Sequence, residues 1–316
     1  MIGRLSPLIV GCSPLLQRVL ELAVLYAPID EPVLLLGPTG VGKGLVAKLM
    51  HEASGRPGEF VAVSGGQLVE SLLHSQLFGH EKGAYTGADR RVAGAFERAR
   101  GGTLLVDELQ LIPQSAQGAL LQPTGEGQLL RLGAERDTKV TARLLFASNR
   151  PLDELEAEGR LMPDLRYRLY DFVIEIPPLV ERRVDIVVLA YHFLDRTRAA
   201  APERTPAMFH PEAIDRLLEF DWPGNVRQLK GAVAYACVHA AGEEQISTRH
   251  LPAYLAAGPC RQPLLDVTDR SQLTQWAFER AGGDRRAAAR LLGVHPNTID
   301  YRRKRWGAGR VEECSG

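Results

Sequence analysis

The sequence predicts an α/β chain in which a parallel sheet sandwiched by helices is followed by a helical subdomain and a small all-α unit. Three observations carry this. From about residue 32 to 176, short β-branched and leucine-rich runs alternate with helical patterns, as strands joined by crossover helices do. Pro177-Pro178 closes that region, and only helical periodicity follows it. A glycine-rich turn, Gly37 to Lys43, sits between the first strand and a helical run, the setting in which such turns bind anions.

Taken in order, Ser13-Pro14 reads as an N-cap followed by proline at the first helical position, starting a helix over Leu15 to Tyr26. The strands are expected at Val33 to Leu36, Phe60 to Val63, Thr103 to Val106, Leu144 to Ala147 and Phe172 to Ile176. Leu45 to Met50 is helical. Beyond the prolines, helices are expected over Arg183 to Thr197, Pro211 to Glu219 and Asn225 to Ala240, the last with Val226, Leu229, Val233 and Cys237 at helical spacing. Ala256 to Pro263, with a glycine and two prolines, reads as a linker. Three short helices follow: one through Leu273, Trp276, Ala277 and Ala281 ended by Gly282-Gly283, one over Arg285 to Leu292 stopped by Gly293, and one over Pro296 to Arg305. The second of these is given a packing face by Ala287, Ala288, Leu291 and Leu292. The expected domains are 1–178, 179–256, a linker 257–268, 269–307 and a tail 308–316.

A chain of 316 residues exceeds what one hydrophobic core usually serves. Its 38 basic and 38 acidic residues balance, so global charge points to no partner. Local charge does: between Arg285 and Arg310 eight basic side chains face Asp300 alone, enough to neutralise phosphates. Cys12, Cys237, Cys260 and Cys314 show no CxxC spacing and the eight histidines no metal motif, which disfavours a disulfide framework or zinc site and fits a reducing cytoplasm. The apolar run before Cys12 is too short for a lipoprotein leader, and no segment reaches transmembrane length, so no membrane partner is expected.

Gly37, Pro38, Thr39, Gly40, Val41, Gly42 and Lys43 stand in the strand-to-helix context a P-loop requires, a plain glycine-rich turn being the alternative. The glycines allow left-handed turns that point successive N–H groups inward, the following helix presents its positive end, and Lys43 supplies a point charge for the β- and γ-phosphates. Thr103 to Val106 runs into Asp107 and Glu108, which suits a buried strand carrying Asp107 to a magnesium shell and Glu108 to the attacking water; a solvated acidic turn is the alternative. A further strand ends at Asn149, placed to sense a γ-phosphate. Gly44 stands where a P-loop usually has Ser or Thr, so Mg2+ would lean on Asp107 through water.

The run Leu77 to Ala88, ending Gly83-Ala84-Tyr85-Thr86-Gly87-Ala88, closely resembles the GAFTGA signature of the sigma-54-dependent activators, the bacterial enhancer-binding proteins. The resemblance implies an AAA+ ring that hydrolyses ATP and a mobile loop that grips the sigma factor, with Tyr85 as its apolar, polar-tipped contact. Trp222 to Leu229 is similar to the family's lid motif, in which Arg227 would be the second sensor. Residues 271 to 306 resemble the Fis-like helix-turn-helix of the family. That resemblance implies Asn297, Thr298, Tyr301 and Arg302 near base edges, with Arg303, Lys304 and Arg305 on phosphates. Implied partners are sigma-54 RNA polymerase, double-stranded enhancer DNA, and further subunits of a hexameric ring, either identical or from a related activator.

The sequence departs from the family at defined points. Aligned on Asp164 to Leu169, the first of two trans-acting arginines is Met162, while Arg168 keeps the second. Ser64 replaces an asparagine that restrains the catalytic glutamate, and Pro123-Thr124 is expected to interrupt a helix before the second loop. Loss of one finger can cost orders of magnitude in rate. Two functions therefore compete, an ATP-driven activator and a hydrolysis-impaired DNA-binding co-subunit or repressor; a remodelling ATPase outside transcription fits the loop and the basic tail less well. The family-like region starts almost at Met1, so control is expected from expression level, an inhibitory partner or a missing upstream segment.

Overall fold

The computed structural model describes residues 9–67, 73–83, 89–125, 128–129, 138–139, 141–256, 267–292, 294 and 296–307. The chain divides into two compact units, one built from Arg18–Ile176 and the other from Val10–Gln17 together with the chain after Ile176.

The first unit holds most of α1 (Pro14–Tyr26), then β1 (Val33–Leu36), α2 (Lys43–Ser54), β2 (Phe60–Ser64), α3 (Leu73–Phe78) and the short antiparallel pair β3 (Gly79–His80) and β4 (Val92–Ala93). After α4 (Ala95–Arg98) come β5 (Thr103–Asp107), α5 (Gln114–Gly125), the pair β6 (Gln128–Leu129) and β7 (Thr138–Lys139), β8 (Arg143–Ser148), α6 (Leu152–Ala157), α7 (Pro163–Leu169) and β9 (Val173–Glu175). Five strands make one parallel sheet in the order β2-β5-β8-β1-β9. Its three central strands are buried along nearly their whole length. A parallel sheet covered on both faces needs such continuous apolar runs, which is why Leu104-Leu105-Val106 and Leu144-Leu145-Phe146 could be read as strands without alternation.

One buried charge interrupts that apolar run. Arg143, at the head of β8, is 1% exposed, and its guanidinium donates to the carbonyls of Ala27 (2.8 Å) and Tyr26 (2.6 Å) at the end of α1. Those carbonyls have no partner within the helix, so the arginine closes α1 against the sheet. Burial, with Arg56 nearby, pushes its pKa down to about 10, which leaves it charged at neutral pH. The expected break at Pro123-Thr124 is absent: α5 runs to Gly125. Proline removes one intrahelical N–H, and so close to the C-terminal end that loss falls on the last turn only.

The second unit contains α8 (Arg183–Ala200), the two-residue strands β10 (Met208–Phe209) and β11 (Gln245–Ile246), α9 (Pro211–Glu219), α10 (Asn225–His239), α11 (Ala253–Ala256), α12 (Val267–Arg280), α13 (Arg285–Leu292) and α14 (Pro296–Gly307). Its N-terminal strap is fixed by Asp185. This buried carboxylate accepts from the N–H groups of Cys12 (2.7 Å) and Ser13 (2.9 Å) and from the Ser13 hydroxyl (2.7 Å). Ser13 caps α1 as expected, accepting from Leu16 N–H at 3.2 Å. The face of α13 differs by one position from the expected one. Ala288 and Ala289 are buried and Ala287 is not; Leu291 packs on the cluster around α8, and Leu292 reaches both that cluster and the small core of the C-terminal helices.

Candidate nucleotide site and its flanking elements

The strand order places the ends of β5, β8 and β1 side by side at the carboxyl edge of the sheet, where ligands of parallel α/β folds bind. At β1 the chain leaves through Gly37, Gly40 and Gly42, with φ of +156°, +81° and +110°. A β-carbon at Gly37 would lie 2.5 Å from the carbonyl oxygen of Ile176, whereas at Gly42 and Gly44 it would meet nothing within 4 Å. The loop is therefore tight against the sheet and open above the start of α2, where a phosphate would sit. Lys43 Nζ donates to the carbonyls of Gly37 (2.7 Å) and Pro38 (3.2 Å), which holds the ammonium across the mouth of the loop.

The neighbouring strands bring the predicted residues to this edge. Asn149, just past β8, donates from Nδ2 to Thr39 Oγ1 at 3.3 Å. Asp107 closes β5, and its Oδ1 accepts from Glu108 N–H at 2.8 Å. Glu108 sits at φ 57°, ψ 48°, a left-handed conformation that L-residues adopt at a cost of about 1–2 kcal/mol and that clusters at functional sites. Ser64, paired in register with Asp107, donates its hydroxyl to Glu108 Oε2. The serine thus keeps the contact to the glutamate although it is not the usual asparagine. An open, anion-binding turn beside two carboxylates fits a nucleotide with a divalent cation.

Further along, Met162 caps α7 and packs against the core of the first unit. Its N–H donates to Gln117 Oε1 at 2.9 Å, while Gln117 Nε2 donates to the carbonyls of Ile112 (3.1 Å) and Arg160 (2.7 Å). This fully buried, satisfied glutamine pins the loop before α7, and nothing in its sequence surroundings announced it. Arg168 is on the outer face of α7 and donates to the carbonyl of Leu121.

Gly83, the first residue of the loop, is exposed and at φ +83° with open space around it; Ala84, Tyr85, Thr86, Gly87 and Ala88 lie outside the described residues. The root of the loop is compact. Gly79, at φ +80°, and Gly94 cross backbone to backbone, so that a β-carbon on Gly94 would come within 2.3 Å of Gly79 N. Phe78 stacks on Phe96 at 5.4 Å and Ser75 Oγ lies 2.7 Å from His80 Nδ1.

In the second unit, Trp222 and Asn225 take positive φ (51° and 49°). Trp222 Nε1 donates to Leu217 O at 2.8 Å and Asn225 Oδ1 accepts from Leu179 N–H at 2.7 Å, so the Trp-Pro-Gly-Asn turn is built on buried contacts. Arg227 projects from the first turn of α10 and is exposed. At the C-terminal end, Gly282 and Gly283 (φ +60° and +87°) end α12 and Asp284 caps α13 through Arg286 N–H at 2.8 Å. Gly293 lies outside the described residues. On α14, Asn297 is exposed, Thr298 is partly exposed and Ile299 is buried; the side chains of Tyr301, Arg302, Lys304 and Arg305 lie outside the described set. Arg303 stacks on Phe278, its guanidinium 3.6 Å from the ring centroid. Among the described residues no cluster of metal-ligating side chains occurs and no helix is long and apolar enough to cross a membrane.

Comparison with known proteins agrees with this layout. Residues 9–175 match the family model of the sigma-54 interaction domain, residues 180–264 that of the AAA+ ATPase lid domain, and residues 275–306 that of the Fis family of bacterial regulatory proteins. The chain is 42% identical over 298 residues to the transcriptional regulatory protein ZraR of Salmonella typhimurium, covering 92% of this chain and 67% of that one. It is 38% identical over 303 residues to the Nif-specific regulatory protein of Klebsiella pneumoniae, covering 93% and 57%. Among solved structures, NtrX from Brucella abortus in complex with ATP matches with a TM-score of 0.71 and 28% identity, over 95% of this chain and 69% of that one.

Proposed function

The chain belongs to the sigma-54-dependent transcriptional regulators with an AAA+ ATPase domain and a Fis-type helix-turn-helix, and from that premise we propose that it is an ATP-driven activator that remodels sigma-54 RNA polymerase. The observation that carries this reading is the meeting of Thr39, Asn149, Asp107 and the Ser64–Glu108 pair at one sheet edge beside Lys43.

In this reading the N–H groups from Gly40 to Lys43 cradle the β-phosphate and Lys43 lies against the β- and γ-oxygens of ATP. Asp107 would hold Mg2+ through water, and the ion supplies charge neutralisation on the phosphate oxygens. Glu108 orients the attacking water and receives its proton, while the bond from the γ-phosphorus to the β,γ-bridging oxygen breaks and the bond to the water oxygen forms. Ser64 holds Glu108 aside until nucleotide is in place. Asn149 reads the γ-phosphate from the sheet, and Arg227 reads it from the lid. Arg168 would reach the site of the next subunit in a ring, which the family resemblance makes a hexamer. The ATP-driven movement is delivered to the sigma factor by the Gly83 to Ala88 loop with Tyr85 at its tip, while Asn297, Thr298, Tyr301, Arg302, Arg303, Lys304 and Arg305 hold enhancer DNA.

Phosphate release measured against protein concentration, with and without DNA, tests this. Specific activity should rise as subunits associate and rise further on DNA; failure to bind ATP analogues at any concentration would reject the reading. Met162 supports a second one. A thioether packed against the core cannot stabilise a transferring phosphoryl group, so the chain would serve as a slow co-subunit or repressor. Mixing with a related activator that carries both arginines separates the two: stimulation only in the mixture favours the co-subunit.

A further inference from the structure

The three C-terminal helices bury little among themselves. Their own core is Ala277, Ala288, Ala289 and Ile299, too few side-chain atoms to support an independent unit comfortably. Phe278, Ala281 and Val294 pack against that small core, Trp276 and Leu292 reach both it and the lid, and Leu273 and Leu291 belong to the cluster of the lid around Ile186, Tyr191 and Leu217. At the same seam Arg280, the last residue of α12, donates from Nη2 to both carboxylate oxygens of Asp195 on α8, at 2.7 and 2.6 Å. Its guanidinium lies 5.2 Å from the Tyr191 ring and 5.8 Å from the Trp276 ring. Tyr191 is fully buried, and its hydroxyl donates to the carbonyl of Leu291 at 3.2 Å. The seam thus combines a buried apolar and hydrogen-bonded part with a half-exposed ionic clasp. The short stretch 257–266 joins the two partners in sequence, and a tether of that length holds a weak contact together through high effective concentration.

We propose that the outer face of α8 is a docking site for the chain's own DNA-binding helices, so that the lid and the recognition helix α14 move as one body and DNA held at α14 restrains α8. The coupling rests on the reading of α14 as the DNA-contacting helix. The occupant is this chain's own C-terminal unit, because its alanine-rich core leaves Leu273 and Leu291 uncovered except by the lid cluster and Trp276 covered only in part.

Amide exchange on the full chain tests it, using the wild type, Arg280→Glu, Asp195→Arg and the double charge swap. Arg280→Glu should speed exchange in 187–195 and 286–292 roughly tenfold while α10 is unchanged, and the double swap should restore the wild-type pattern. A duplex of about 30 base pairs at low salt should slow exchange in α14 and α8 of the wild type, and in α14 alone of Arg280→Glu. Docking is overturned by wild-type exchange in Arg280→Glu, by failure of the double swap to restore it, or by α8 protection that grows with protein concentration, which would mean docking from a second copy. The coupling is overturned if the duplex protects α14 but leaves α8 unchanged. If the duplex protects neither, the DNA-reading role of α14 has failed and the coupling with it, while docking is still judged by the charge swap.

Discussion

At Gly44 a β-carbon would meet no atom within 4 Å, and the position lies in the first turn of α2, so a serine hydroxyl would fit where the P-loop pattern usually has one. Gly44→Ser should therefore raise phosphate release at saturating ATP and Mg2+ about tenfold, the effect of some 1.4 kcal/mol in the barrier; an unchanged rate would mean that the missing hydroxyl does not limit turnover. Glu108→Gln should retain ATP-analogue binding and lower hydrolysis by about 100-fold or more, since it removes the proton acceptor, whereas Lys43→Ala should weaken binding itself. At this scale the sequence was informative where chemistry and spacing are linked, as in Gly37 to Lys43 or Asp107-Glu108. It was silent on Gln117, whose three hydrogen bonds hold the loop before α7, because a glutamine in a helix looks the same whether buried or solvated. Ser64 read as a loss, yet its hydroxyl reaches Glu108; only the pairing of β2 with β5 puts the two side by side.

Elements were legible in proportion to their apolar pattern. The strands at Val33, Phe60 and Thr103 begin where expected, since a run of buried residues bounded by glycine or proline leaves few alternatives. Arg143 lies one residue before the expected strand, and its burial is not legible locally, since the carbonyls that satisfy its charge are more than a hundred residues away in sequence. Asp185 is a parallel case. It secures Cys12 and Ser13 and lies 3.7 Å from the buried Arg182, whose pKa is lowered by desolvation. Asp185→Ala should cost about 3–5 kcal/mol in denaturant unfolding, the usual result of stripping a partner from a buried charge; a loss under about 1 kcal/mol, the level of a surface pair, would show that the strap is not anchored there. At the root of the loop, Gly94→Ala must push β3 and β4 apart, since the new atom would lie 2.3 Å from Gly79 N. It should lower the melting temperature by several degrees, and a melting curve like the wild type's would contradict the close crossing.

Across the whole molecule, two proposed devices are separated along the chain: a nucleotide-binding edge on the sheet and a basic helix-turn-helix that packs on the lid. The sequence distinguished lid and C-terminal helices by the intervening glycine and prolines, but the seam of Tyr191, Trp276, Arg280 and Leu291 depends on contacts between helices far apart in sequence, which periodicity does not encode. What joins the devices into an activator is the claim that ATP hydrolysed beside Lys43 drives the Tyr85 loop against a sigma factor. The most direct test is open-complex formation by sigma-54 RNA polymerase on a supercoiled template, with phosphate release followed in the same samples for wild type, Lys43→Ala and Tyr85→Ala. The account predicts open complexes with wild type and ATP, neither activity with Lys43→Ala, and phosphate release without open complexes with Tyr85→Ala. Open complexes formed by Tyr85→Ala at the wild-type rate, or by wild type without ATP, would contradict it.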